Sequence, residues 1–590
     1  MGEPHLHLAA RRSGPGDGRF RAQHSADPGA LPPPQPAVRR VGRNETDQLV
    51  VTGPNGGYAG EDYAGALPVD EWRWYINPFE FFRIAFDTDR IPKLDTTTLA
   101  GRQIYYSHID GDGWHNVSGA EAYRGKQATS AQVHYEQILQ KNTDLPVTVG
   151  PITGDLDVTW YGDEAARRLA RRIFELPHVE VGSHTHSHPF AWGFFRNPDP
   201  RREEPFLKFY PPRPGHTQRD SVWKPEAPKD GSALPPADDD MSKQYQRPRS
   251  YAVRPFDLNL EIAGSVRALQ ALMPPGKKVA VMQWSGDTSP FERVLELTAA
   301  AGLRNINGGD PRMDGVYRSY SQLSPIGIRV GRFWQVYSSG SNENIYTDNW
   351  RARFYAYRNL VETLANASTP IRVKPINVYY HLYIVEREDS LNSLRFVLDY
   401  VRRQDIAPVA TSHYAAIAEG FYSGTIAALG GERWRIENRG ALQTVRFDRA
   451  SLKSVDFERS EGVVGQRHHQ GSLYVALDAD VARVVVALKD DARPDRDPEA
   501  PVPYLISARW PVKGLDRNQA GFAFHAQGFG KGEFAWKVPA GGRFAVEVDD
   551  GARKHRFTAV SDPEGRLEFT VPGEGVHGVD IAVRRLVDTQ

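Results

Sequence analysis

The 590-residue chain contains no cysteine. That absence removes disulfide scaffolds, thiolate zinc sites, iron–sulfur clusters and thiol nucleophiles together, so any metal has to be held by His, Asp or Glu. It suits a reducing and an oxidising compartment equally. Excess charge is also missing: 73 Lys and Arg balance 73 Asp and Glu, without the basic surplus by which proteins grip nucleic acid. No run approaches the ~18 uninterrupted apolar residues of a membrane-spanning helix. Neither a fixed-period repeat nor a coiled-coil heptad is present. What remains is the pattern of a soluble, globular chain of several domains, roughly four by length alone.

Residues 1–43 mix Gly, Pro, Arg and His, include Pro32-Pro33-Pro34, and show no apolar periodicity and no signal-peptide stretch. They read as a disordered tail. Folded texture is clear from Trp72 onward. Gln103–Ile109 reads as a strand ending at Asp110. A helix over 163–176 follows, with Ala166, Leu169, Ala170 and Ile173 on one face and Asp163 as its cap. Val179–Val181 is a short strand leading into Ser183. From Asn197 to about Tyr251 the chain is rich in Pro, Arg, Asp and Lys, and is expected to be a long insertion able to fold over a groove. Strand and helix then alternate again: Lys278–Gln283, Pro290–Ala301, Leu303–Ile306, a helix over 350–367, Pro375–Tyr380, and a helix capped by Ser390 that runs to about Arg403. Val409 is a last short strand, before a short helix capped by Thr411 or Ser412. Such alternation implies parallel strands with crossover helices, whose sites lie at the carboxyl ends of the strands.

Beyond Gly420 the period changes to two. Trp434/Ile436, Leu473/Val475/Leu477 and Phe544/Val546/Val548 alternate with polar residues between turns. Residues 421–590 are therefore expected to form an all-β sandwich, jelly-roll-like in its spacing.

Three segments carry chemistry. The first is Ser107-His108-Ile109-Asp110-Gly111-Asp112-Gly113-Trp114. Asp-x-Asp-Gly opens calcium loops, but Trp114 and His115 fall where such a loop needs a ligand and its turn glycine. The second is Ser183-His184-Thr185-His186-Ser187-His188-Pro189. Three imidazoles in five residues would repel one another if protonated, which suits a metal clamp better than a surface. In a helical turn His184 and His188 share a face, whereas in an extended chain His184 and His186 do. Joined by Asp112, two imidazoles and one carboxylate suit Zn²⁺ or a similar divalent ion and leave open positions. The third is Val378-Tyr379-Tyr380-His381, a histidine closing an apolar strand, which is either a packing residue or a catalytic one.

As an ordered set these segments resemble the polysaccharide deacetylases of the NodB-homology type, carbohydrate esterase family 4. The likeness runs over about residues 70–420, and the spellings HIDGDGW and SHTHSHPF are similar to those of deacetylases from Pel-type exopolysaccharide systems. The resemblance implies a deformed (β/α) barrel over 44–420, with the all-β part in the position of the relatives' C-terminal region; that part is separately a candidate carbohydrate-binding domain. It implies Asp110 as general base, His381 as general acid, and Asp112, His184 and His188 as ligands of a divalent metal, Zn²⁺. His186 falls at a variable position of the family motif, which favours the helical-turn reading. The family's arginine loop has no counterpart: the stretch after Gln283 reads Trp284-Ser285-Gly286-Asp287, leaving Arg254 and Asp287 as candidates to orient Asp110. Asn307-Gly308-Gly309-Asp310 is matched to the family's fourth motif. Trp114, Trp284 and Asp287 are the expected substrate contacts, with Trp192 a further aromatic close to the motifs.

The activity so implied is metal-dependent removal of acetate from an N-acetylhexosamine polymer, Pel-like and rich in N-acetylgalactosamine, during biofilm matrix maturation. A periplasmic location and an outer-membrane tetratricopeptide export partner are implied with it. Pel-type relatives also carry an N-terminal glycoside hydrolase domain that has no counterpart here, so the chain reads as a C-terminal portion. Two rivals are set against this. Two His and one carboxylate also describe non-haem iron oxygenases, but there the site sits in a jelly roll and an H-x-D/E pair comes first. Alternatively, a deacetylase domain lacking its arginine has decayed into a polysaccharide-binding scaffold.

Overall fold

The computed structural model describes residues 50–53, 56–60, 64–66, 72–74, 76–197, 199–224, 246–346, 354–491, 497–573 and 575–586. The tail at 1–43 and the middle of the insertion, 225–245, lie outside the described residues.

Seven parallel strands form the central sheet: β1 (Arg102–Asp110), β2 (Val147–Gly150), β3 (Val179–Ser183), β4 (Val279–Gln283), β5 (Arg304–Ile306), β6 (Ile376–His381) and β7 (Ile406–Pro408). Their order is 5-4-3-2-1-6, with β7 also pairing β1 and Thr98–Leu99 adding an antiparallel piece. The sheet curls into a half-barrel that stays open between β5 and β6.

The two faces of β1 are covered differently, as period two requires. Tyr105 and Ile109 join a core made by α1 (Ser130–Gln137), α2 (Glu164–Glu175), α3 (Ser265–Gln270), α4 (Glu292–Ala300), α5 (Leu360–Asn366) and α6 (Glu388–Arg402). Ile104 and Tyr106 instead pack on α7 (Thr411–Ser423) through Tyr414, Ile417 and Ala418, and Tyr106 stacks on Tyr414 at 4.1 Å. His108 and Asp110 continue that second face toward the carboxyl end, beyond the reach of α7. Polar groups are thus presented at the top of an apolar wall.

Local chemistry sets the helix ends. Asp163 caps α2 by accepting from Ala166 N at 2.7 Å, a contact worth about 1 kcal/mol. Ser390 is not the cap of α6. The helix begins at Glu388, and the Ser390 hydroxyl turns back to the carbonyls of Ile384 and Arg387. Neither Thr411 nor Ser412 caps α7; the Thr411 hydroxyl donates to Ser107 O at 3.0 Å, pinning the helix to β1.

Within its described parts the insertion is built into the fold. Arg249 and Glu203 form a buried ion pair at 2.6 Å, and the Tyr210 hydroxyl donates to the same carboxylate. Pro189 pairs with Arg249 as an isolated bridge, and Ser250 N donates to His188 O at 3.0 Å.

Residues after Gly424 form three sheets rather than one sandwich. A central seven-stranded sheet alternates its side chains between two cores. Leu505, Phe534 and Trp536 face a five-stranded sheet carrying Phe522, Phe524, Val546 and Ile581. Tyr504, Ile506 and Ala535 face a four-stranded one carrying Ile436, Val484 and Val486. One edge of the central sheet is Lys93–Leu94, which pairs with Thr444–Phe447. A short strand from before residue 420 thus joins the β-rich part.

Candidate metal centre

The site lies at the carboxyl ends of β1, β3 and β6. Asp110 ends β1, and the chain turns through Gly111 and Gly113. A Cβ on Gly111 would sit 2.5 Å from Ile152 N, and Gly113 has φ +92°, so the turn that presents Asp112 requires glycine at both. After β3 ends at Ser183, the chain reverses without a helical turn: Thr185 and His188 both take left-handed conformations, φ +67° and +56°. The helical spacing expected for this segment is thus met by other means. The buried carboxylate of Glu261 accepts from His186 N and Ser187 N, both at 2.8 Å, and from the Ser187 hydroxyl. His188 N donates to Thr185 Oγ1 at 3.1 Å. Side-chain oxygens take the place of helical carbonyls as acceptors of these amides, and the His184 and His188 rings meet with centroids 4.8 Å apart.

Asp112, His184 and His188 each offer one ligand atom, and these atoms lie within 4.8 Å of one another. His184 Nδ1 donates to Gln283 O at 3.0 Å, which leaves Nε2 as the free nitrogen, 3.8 Å from Asp112 Oδ1. His188 Nδ1 faces Ser250 Oγ at 3.2 Å. Its Nε2 is buried without a hydrogen-bonding partner, although it stands 2.9 Å from Asp112 Oδ1. Outer hydrogen bonds that fix the ring while the inner nitrogen stays uncommitted are what a metal-ligating imidazole needs. Burial also lowers the pKa of His184, favouring the neutral form that ligates. Burial works against the charge of Asp112, yet His188, His184 and His381 hold its carboxyl well below the usual range. The residues fit a divalent ion.

His186 faces the other way. Its Nδ1 meets Thr153 Oγ1 at 2.8 Å, and its ring stands edge-on to Trp160.

Asp110 and His381 flank the cluster. Asp110 Oδ1 is 3.7 Å from His184 Nδ1, and Oδ2 is 3.7 Å from His381 Nε2. Burial alone would lower the pKa of His381, but Glu343, hydrogen-bonded to Nδ1 at 3.2 Å, joins Asp110 and Asp112 to lift it to about 9. Glu343 also accepts from His381 N at 3.1 Å, so one buried carboxylate sets both the charge and the direction of the ring.

Neither Arg254 nor Asp287 orients Asp110. Arg254 gives its backbone carbonyl to Arg249, while Asp287 receives Ser289 N at 3.1 Å and faces Trp192 N at 3.3 Å. Asp110 is held instead by the Tyr379 hydroxyl at 2.6 Å and by Asn307 Nδ2 at 3.1 Å from both carboxylate oxygens. The Gln283 amide, in the orientation its neighbours satisfy, adds a donor at 2.9 Å. Trp114 and Trp284 are fully buried, the latter donating to Asn305 Oδ1 at 3.0 Å, so neither offers a face for a sugar to stack on. Sequence reading missed Tyr379 although it lies two residues before His381, on the same face of β6. Asn307 belonged to a noted motif without a role. Glu343 carries no signal at all.

No protein-family model matches the chain, and no curated protein matches it. Among solved structures it is similar to endo-glycoceramidase II from Rhodococcus sp. In a ganglioside GM3 complex the identity is 10% and the TM-score 0.23, over 84% of this chain and 99% of that one. In a cellobiose-like isofagomine complex they are 12% and 0.21, over 68% and 99%. A likeness this slight bears on neither fold nor function. Among the described residues no helix is long and apolar enough to cross a membrane.

Proposed function

We propose that the chain is a metal-dependent N-deacetylase of an N-acetylhexosamine polymer, with a deacetylase-type half-barrel as its catalytic part. One observation carries this reading: Asp110 and His381, a carboxylate and an imidazole 3.7 Å apart, flank a cluster of two imidazoles and one carboxylate with a buried, uncommitted nitrogen. Amide hydrolysis needs that pairing, because water must lose a proton as the nitrogen gains one.

Asp112, His184 and His188 would hold the ion, and Zn²⁺ suits a set of two nitrogens and one oxygen. When bound, such an ion polarises a carbonyl and lowers the pKa of water. Asp110, fixed by three neutral donors, accepts the proton of the attacking water as the new C–O bond forms at the acetyl carbon. His381, held protonated by Glu343, gives its proton to the amide nitrogen, since an amide anion is not a viable leaving group. The C–N bond breaks, acetate leaves, and an amine remains on the polymer.

The substrate class, a Pel-like chain containing N-acetylgalactosamine, is proposed on the motif resemblance, as are the periplasmic location and the export partner. The test is acetate release from N-acetylated hexosamine oligomers, using protein stripped of metal and then reloaded with Zn²⁺. Release that vanishes on stripping and returns on reloading is expected. Tight metal and oligomer binding without release would leave a polysaccharide-binding scaffold.

A further inference from the structure

His108 touches neither the metal cluster nor any reacting group, yet it lies fully buried four residues before Asp112. Its surroundings settle which ring nitrogen carries the proton. The backbone amides of Ser339 and Gly340 both donate to Asn377 Oδ1, at 3.2 and 3.0 Å, so that oxygen is committed. The Asn377 NH₂ group must then face the other way, where it meets His108 Nδ1 at 3.3 Å and makes it an acceptor. A neutral imidazole that accepts at Nδ1 donates at Nε2, and His108 Nε2 reaches Asn307 Oδ1 at 2.9 Å. With its oxygen so fixed, Asn307 directs its NH₂ group at Asp110 and at Trp284 O, the latter at 3.1 Å.

We propose that neutral His108 is a positioning residue for Asp110. It sets the direction of the Asn307 amide, through a one-way chain of hydrogen bonds that starts at the backbone amides of Ser339 and Gly340. The inference rests on Asp110 acting as the base of the proposed reaction. Reversing the Asn307 amide would set a carbonyl oxygen against a carboxylate and against the Trp284 carbonyl, and His108, as the donor to Oδ1, opposes that reversal from the other side. The ring also stacks on Tyr379 at 4.3 Å, so it backs two of the three side chains that hold Asp110. Burial, opposed by the charge of Asp110, lowers its pKa to about 4, consistent with a ring that stays neutral across the working range.

The experiment uses the full chain loaded with Zn²⁺ and two near-isosteric variants, His108→Phe and Asn307→Asp. His108→Phe keeps the stacked ring and removes the donor. It should cut kcat by about 10- to 100-fold, with KM and the zinc content unchanged. In Asn307→Asp a second carboxylate faces Asp110 and the pair shares a proton, so the acid limb of the kcat–pH profile should move up by about one unit or more. In parallel, ¹⁵N NMR of histidine-labelled wild-type protein, with the His108 signal identified by its loss in His108→Phe, should show an Nε2–H tautomer unchanged from pH 5 to 8. An Nδ1–H tautomer, titration of His108 within that range, or variants that lose activity only in proportion to lost zinc would overturn the proposal. Should wild-type protein release no acetate from any oligomer, the deacetylase reading fails, and the tautomer measurement alone then decides whether His108 directs Asn307.

Discussion

The half-barrel and the β-rich part bury very different things. Between the central and five-stranded sheets of the β-rich part large apolar side chains fill the interior, with Trp510, Trp536, Phe522, Phe524 and Phe534 packed together, and buried polar groups such as Gln466, Ser507 and Lys537 are few beside them. At the top of the half-barrel the buried side chains include His108, Asp110, His184, His188, Glu203, Arg249, Glu261, Asn307, Glu343 and Asn377. Apolar burial stabilises by roughly 25 cal/mol per Å², whereas a buried charge costs several kcal/mol unless partners are built for it. The β-rich interior is thus organised for stability. The top of the half-barrel, above an apolar core of its own, gives up stability to keep charges and lone pairs in fixed places.

The largest effects that would break or confirm this contrast lie at the cluster. Asp112→Ala, His184→Ala and His188→Ala should each abolish stoichiometric metal binding, and acetate release with it, while the metal-free protein stays folded with a loss of no more than about 1–3 kcal/mol. Metal analysis and a melting curve on the same sample check both halves of that expectation. Asp110→Asn should keep the metal, and its turnover should fall by about 10²- to 10⁴-fold; loss of metal instead would make Asp110 a ligand rather than a base. The converse substitution is Trp536→Ala in the β-rich core, which should cost about 3–5 kcal/mol in denaturant unfolding and leave metal affinity intact.

A smaller effect sharpens the electrostatic side of the contrast. In the proposed reaction His381 donates the proton, and its pKa is raised to about 9, so it stays protonated below that pH and activity should fall as pH rises through it. Glu343→Gln removes the carboxylate that does most to raise this value, and should move the alkaline limb of the kcat–pH profile to lower pH. A limb that stays in place would assign it to another group. The smallest functional effect belongs to His186→Ala. It should leave metal binding intact and cost about 1–3 kcal/mol of stability through its lost Thr153 bond and packing on Trp160.

Much of this was legible in the chain. Short apolar runs marked β1, β3, β4 and β6 to within a residue or two, and the Asp163 cap fell where its spacing put it. His184 and His188 stood out because three imidazoles in five residues have few other uses. The groups that hold Asp110 were not legible. Gln283, Asn307 and Tyr379 are single neutral residues at three different strand ends, and although Asn307 and Tyr379 fall within noted segments, nothing local marks any of them as a partner of Asp110. Trp114 and Trp284 misled for the opposite reason: an aromatic beside a catalytic motif reads alike whether it faces a sugar or the core, and here both are buried.

Local sequence determines what depends on near neighbours. The turn at Gly113, the alternating faces of β1 and the ends of the sheet where polar groups gather all follow from steric and hydrogen-bonding preferences over a few residues. The tertiary structure alone decides which distant side chains become partners. The Glu343 carboxylate reaches His381 across 38 positions, and the Asn307 amide reaches Asp110 across 197. Such pairings carry no sequence period. They are selected because a buried charge or lone pair left without a partner would cost more than the fold can lose.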